Sequence, residues 1–118
     1  MDQPTLYHNP RCSKSRRALE LLEAAGVTPR IVRYLDQPLS VGELDDLLRK
    51  LDMEPQALMR TGEDVYAELG LAGRDLSREG AIQVLVDHPI LIERPILVAG
   101  ERAVVARPPE RVMELLGA

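Results

Sequence analysis

The residues whose types and spacing could do chemistry lie in one stretch, His8-Asn9-Pro10-Arg11-Cys12-Ser13-Lys14-Ser15-Arg16-Arg17. Cys12 is the only cysteine of the chain. Arg11, Lys14, Arg16 and Arg17 place four positive charges within seven residues, with no acid among them, in a chain of net charge −4. The thiolate is the nucleophilic form of cysteine, and cationic neighbours favour it over the thiol. A helix beginning at Cys12 would add its unpartnered first N–H groups and the positive end of its dipole. The same donors would receive an oxyanion. Ser13 and Ser15 could cap that helix or donate to the anion. His8 could help deprotonate Cys12 or serve only to end a strand. A lone cysteine is commonly a buried apolar residue, but the position and the cationic neighbours favour a nucleophile. Arg11, Lys14 and Arg17 suit solvated surface positions better than ligand positions.

Such a loop needs a strand before it and a helix after it. Thr5 to His8 is a short strand by pattern, stopped by Asn9-Pro10. Residues 13–25 carry Ala18, Leu19, Leu22 and Ala25 at helical spacing, with Gly26 where a C-terminal cap belongs. Arg30 to Leu35 alternates as a strand does, which completes a right-handed βαβ unit. The middle is helical. Ser40-Val41-Gly42-Glu43 has capping-box spacing ahead of Leu44, Leu47, Leu48 and Leu51. Short helical segments follow at Pro55–Arg60 and Glu63–Leu69, and Ser77 opens a helix that ends before His88-Pro89. Pro95–Ala99 and Arg102–Ala106 flank Gly100-Glu101, a hairpin signature. Pro108-Pro109 starts a last helix with Val112, Leu115 and Leu116 inward and Gly117 at its end. The order is β-α-β, a helical insertion at about 40–88, then β-β-α. Neither sheet fragment is stable alone, so the expected fold is α/β and thioredoxin-like. It is one domain over 1–118, with a small mixed four-stranded sheet and the insertion between the second and third strands.

Composition narrows the function. The 118 residues are 45% hydrophobic and 29% charged, ordinary for a globular protein. The negative net charge argues against a protein held on nucleic acid by counterion release. Tyr7, Tyr34 and Tyr66 are the only aromatic residues, too few for a base-stacking platform. No apolar run suits a signal peptide or a membrane span, so a cytoplasmic protein is expected, and a monomer. One cysteine excludes an internal disulfide and a cysteine-rich zinc site. Glutaredoxin-like proteins carry Cys-x-x-Cys in such a loop, whereas this chain has Cys12-Ser13-Lys14-Ser15. Cys12 can form a covalent adduct but has no internal thiol to clear it. Redox turnover must borrow a thiol from outside, such as glutathione or another protein.

Several motifs together resemble the glutaredoxin-coupled arsenate reductase, or ArsC-like, family. They are Tyr7-His8-Asn9-Pro10 followed by Cys12 and Ser15-Arg16, then Leu58-Met59-Arg60, His88-Pro89-Ile90-Leu91-Ile92 with Arg94-Pro95-Ile96, and Arg107-Pro108. The resemblance covers nearly the whole chain. The stretch Asn9 to Arg16 is most similar to a short housekeeping-type branch, and Ser13-Lys14 stand where the best-known members carry Gly-Thr. The resemblance implies an arsenate reductase with Cys12 as nucleophile and His8 supporting its thiolate. It implies that Arg60, Arg94 and Arg107, with Ser15, bind arsenate or a similar oxyanion. A guanidinium grips a tetrahedral oxyanion bidentately and stays charged, which lysine does not match. The proline after Arg94 would correspond to the cis-proline that faces the active cysteine. Glutathione is the implied co-substrate and glutaredoxin the implied protein partner, with no bound cofactor or metal. Two other readings fit the same loop. One is a glutathione-linked thiol-modification protein acting on another oxyanion or thiol. The other is a transcriptional regulator similar to Spx, which lacks support here because many Spx-type proteins use a Cys-x-x-Cys switch.

Overall fold

The computed structural model describes residues 3–116. The chain divides into two compact units. One joins the N-terminal segment through Gln37 to the segment from Arg94 onward, and the other is Pro38–Glu93. The expected insertion at about 40–88 falls inside the second unit.

The first unit contains the whole sheet. Strands β1 (Thr5–Tyr7), β2 (Arg30–Val32), β3 (Ile96–Ala99) and β4 (Arg102–Val105) lie in the order β2-β1-β3-β4. β1 and β2 are parallel, with Leu6 opposite Ile31, and helix α1 (Ser13–Ala24) makes the crossover. β1 and β3 are antiparallel, with Tyr7 opposite Ile96, and β3 and β4 form the predicted hairpin. This is the thioredoxin-like arrangement expected from the element order. Leu6, Ala18, Leu22, Leu97, Val104, Ala106, Val112 and Leu115 form one buried cluster between the sheet, α1 and the last helical segment. Two boundaries differ from the sequence pattern. β2 stops at Val32 rather than Leu35, because the Asp36 and Gln37 N–H groups both donate to the Arg33 carbonyl and turn the chain. The last helical segment, Pro109–Leu115, is a 3₁₀ helix. Gly117, expected as its cap, lies outside the described residues. Gly26 has φ 79°, the left-handed conformation that its place after α1 requires.

The second unit is helical. In α2 (Val41–Leu51) the capping box is formed. The Glu43 N–H donates to Ser40 Oγ at 3.1 Å and the Ser40 N–H to Glu43 Oε1 at 3.0 Å. Leu44, Leu47 and Leu48 are buried on its inner face. A 3₁₀ turn at Pro55–Leu58, helix α3 (Asp64–Glu68) and helix α4 (Arg78–Asp87) follow. Met59 and Ile92 pair as a single antiparallel bridge. Beside it the Arg60 N–H donates to the Leu91 carbonyl at 2.7 Å and the Glu93 N–H to the Leu58 carbonyl at 2.8 Å.

Candidate active site

The register of the first unit determines what surrounds Cys12. The end of β1 is level with the start of β3, since Tyr7 faces Ile96. The start of β3 is level with the end of β4, since Ile96 faces Val105. The loop after β1, the residues before β3 and the residues after β4 therefore meet at one edge of the sheet. Those segments carry Cys12, Arg94 and Arg107.

Cys12 is the N-cap residue of α1, with extended backbone at φ −92° and ψ 123°. Its side chain closes no cap hydrogen bond by distance and angle, so the first N–H groups act on the sulfur as close dipoles. Burial of the half-exposed thiol pushes its pKa up. The N–H groups of Ser15 and Lys14, then the hydrogen bond and charge of Arg94, pull the other way and prevail, so the pKa lies below its ordinary value. The result is a cysteine biased toward thiolate where a substrate can reach it.

Arg94 is buried at 9% exposure, directly before β3. The half-buried Arg107 donates from Nη1 to the Arg94 carbonyl at 3.0 Å. The Arg94-Pro95 bond is cis, as the resemblance implies, and Arg107-Pro108 is cis as well.

The loop itself is held from beneath. Ser15 is fully buried. Its hydroxyl shares a 2.7 Å hydrogen bond with His8 Nδ1, with direction set by the imidazole tautomer, and accepts the Asn9 N–H at 3.0 Å. Asn9, 5% exposed, accepts the Arg11 N–H on its side-chain oxygen and the Cys12 N–H on its carbonyl, both at 3.0 Å. Arg16 reaches back to the Pro10 carbonyl at 2.9 Å. Ser15 was expected either to cap α1 or to donate to the oxyanion. In the structure its hydroxyl is instead engaged with His8 and Asn9, below the loop. His8 is 6% exposed and turns Nδ1 to Ser15. Burial, then the charges of Arg33 and Arg16, hold its pKa below 6.5, so it is neutral at physiological pH. Asn9 is the site residue that the pattern missed. The available signal was the tendency of asparagine to bond the backbone two residues on.

Arg60 belongs to the second unit, and its surroundings differ in kind. Nε donates to Glu63 Oε2 at 3.1 Å and Nη1 to Glu93 Oε1 at 2.7 Å. Burial works against its charge, but the two carboxylates outweigh that and raise its pKa. Glu63 lies three residues on, but Glu93 is brought by the Met59–Ile92 bridge, which no local spacing announces.

Among the described residues no group of three or more His, Cys, Asp or Glu is placed to hold a metal ion. No described helix is long and apolar enough to cross a membrane.

Comparison with known proteins agrees with the geometry. The ArsC family model matches residues 7–115. The uncharacterized protein YfgD of Escherichia coli (strain K12) is 52% identical over 116 residues, spanning 98% of each chain. An arsenate reductase of Neisseria meningitidis serogroup B is 43% identical over 117 residues, covering 98% of this chain and 100% of that one. The solved structure of an arsenate reductase from Vibrio cholerae superposes with a TM-score of 0.91 at 44% identity, covering 95% of this chain and 96% of that one. A sheet edge that brings Cys12, Arg94 and Arg107 together and a family match across almost the whole length lead to one conclusion: the chain belongs to the ArsC family.

Proposed function

We propose that the protein reduces arsenate to arsenite, with Cys12 as nucleophile and with glutathione and glutaredoxin as external reductants. The observation that carries this reading is the thiol itself. It is a single cysteine, kept toward thiolate by two helix N–H groups and Arg94, with no second cysteine anywhere in the chain.

The Cys12 thiolate attacks arsenic(V), an S–As bond forms, and an arsenate oxygen leaves as water after protonation. Arg94, Arg107 and the loop N–H groups stabilise the negative oxygens around arsenic. Arg60 enters as a third oxyanion ligand by family resemblance. A glutathione thiolate then supplies the second sulfur. A Cys12–glutathione disulfide forms, the S–As electron pair stays with arsenic, and arsenite departs reduced by two electrons. A glutaredoxin thiolate takes the glutathione sulfur and returns Cys12 as thiolate. The names of the relatives support arsenate as the substrate, and the single cysteine supports an external thiol as the reductant.

The test is arsenate-dependent NADPH oxidation coupled through glutathione, glutaredoxin and glutathione reductase, with Cys12→Ser as the control. Turnover that is lost in the variant is the expected result. Turnover that survives Cys12→Ser, or a folded wild-type protein with no turnover, overturns the reading.

A further inference from the structure

The proposed reaction leaves one feature beside the cysteine loop unused. A cavity of about 220 Å³ opens at the carboxyl ends of the parallel strands β1 and β2. The loop after β1 forms one wall, from His8 to Arg11, and the turn after β2 forms the other, with Arg33 and Asp36. The residue that follows Arg11 is Cys12.

Its chemistry is asymmetric. The base is polar, buried and uncharged, made by His8 at 6% and Asn9 at 5% exposure. The rim carries two guanidiniums and one carboxylate. Arg33 and Asp36 approach only to 3.7 Å, with side chains 58% and 70% exposed, a loose pair in solvent. A pair this loose leaves most of the Arg33 donors available, and Arg11 is exposed. Arg11 and Arg33 both line the cleft, beside Pro10 and Leu35, and a guanidinium suits a planar carboxylate.

We propose that this cavity receives a carboxylate-bearing arm of the small thiol that reacts with Cys12, with Arg11 and Arg33 as the carboxylate ligands. The inference rests on the thiol-exchange half of the proposed function and names its binding determinant. It makes the cysteine loop two-sided, with the oxyanion on the Arg94 side and the thiol's carboxylate in the β1–β2 cleft.

The experiment uses no arsenate, so it fails or succeeds apart from the arsenate reading. Reduced protein is mixed with glutathione disulfide, or with the neutral bis(2-hydroxyethyl) disulfide, and adduct formation on Cys12 is followed by mass spectrometry. In each case the Cys12 thiolate attacks one sulfur, the Cys12–S bond forms as the S–S bond breaks, and the other half leaves as thiolate. Rates are normalised to alkylation by iodoacetamide, which reports the thiolate fraction. Arg33→Gln and Arg11→Gln are each expected to slow the glutathione disulfide reaction about threefold to tenfold, the size of one charge-assisted contact. The neutral disulfide should change by less than about twofold, as distant surface charges contribute little to an uncharged reactant. Equal slowing of both disulfides, or no slowing of either by both variants, overturns the proposal. Selective slowing together with absent arsenate turnover would sink only the arsenate reading.

Discussion

Arg60 of the helical unit and Arg94 of the sheet unit meet different kinds of partner. In the helical unit Arg49, Arg60 and Arg78 are met by carboxylates. Arg60 is gripped by Glu63 and Glu93, and Arg78 reaches Asp45 at 2.9 Å and Glu54 at 3.6 Å. Arg49 closes on the same Asp45 at 2.6 Å. In the sheet unit Arg17, Arg33 and Arg111 pair with acids at the surface, but Arg94 acts on the Cys12 thiol, and Arg107 and Arg16 donate to backbone carbonyls. The carboxylates around Arg60 tie parts of its own unit together, whereas the hydrogen bond and charge of Arg94 act on the Cys12 sulfur and favour its thiolate.

The largest effect that would sharpen this contrast is Cys12→Ser. Thiol-dependent turnover and disulfide exchange should fall to background, while the melting temperature stays within a few degrees because the side chain is half-exposed and nearly isosteric. Arg94→Ala comes next. Losing the hydrogen bond and the charge should raise the Cys12 pKa. The pH–rate curve for iodoacetamide moves to higher pH, and alkylation near pH 7 slows by about tenfold if the move is one unit. An unmoved curve would show that the helix N–H groups alone hold the thiolate. Arg60→Ala is the mirror experiment. It takes the guanidinium away from two half-buried carboxylates, so its cost is read in urea denaturation, at about 1–3 kcal/mol. Ser15→Ala should also cost about 1–3 kcal/mol, because it leaves the buried His8 nitrogen and the Asn9 N–H without their shared oxygen.

The smallest effect is a pH dependence of stability. His8 has its folded pKa below 6.5, so beneath that value the unfolded chain binds a proton that the folded chain refuses. Stability falls as pH drops from 6.5 toward the folded pKa, by at most about 1.4 kcal/mol per pH unit for one proton. His8→Gln should flatten that slope, and a slope unchanged in the variant would assign it to other groups.

Much of this was legible in the chain because local patterns carried it. The capping box at Ser40, the hairpin around Gly100 and the strand–loop–helix around Cys12 are read from residues a few positions apart. Arg94 and Arg107 were named through the family resemblance, and the hairpin they bracket brings the segments that carry them to one end of the sheet. What stayed hidden depends on distant partners or on depth. Glu93 reaches Arg60 across 33 positions through a single bridge. Ser15 carries no mark that separates a capping or anion-binding hydroxyl from one turned inward. The alternation of Arg30 to Leu35 promised a longer strand, but β1 is three residues long and the chain turns after Val32.

The buried knot of His8, Asn9 and Ser15 has a consequence for how this chain can change over generations. The groups that hold the loop's shape face away from solvent, while Arg11, Ser13 and Lys14 face outward and bear none of that weight. The solvent side of the loop is thus free to be rewritten toward a new anion or thiol while the sulfur keeps its place. A second cysteine is harder to acquire. Position 15, where Cys-x-x-Cys would require it, is the keystone of the knot, so gaining an internal resolving thiol means losing the hydroxyl that His8 and Asn9 share. Under the proposed function, this chain is open to new substrates and resistant to acquiring an internal resolving thiol.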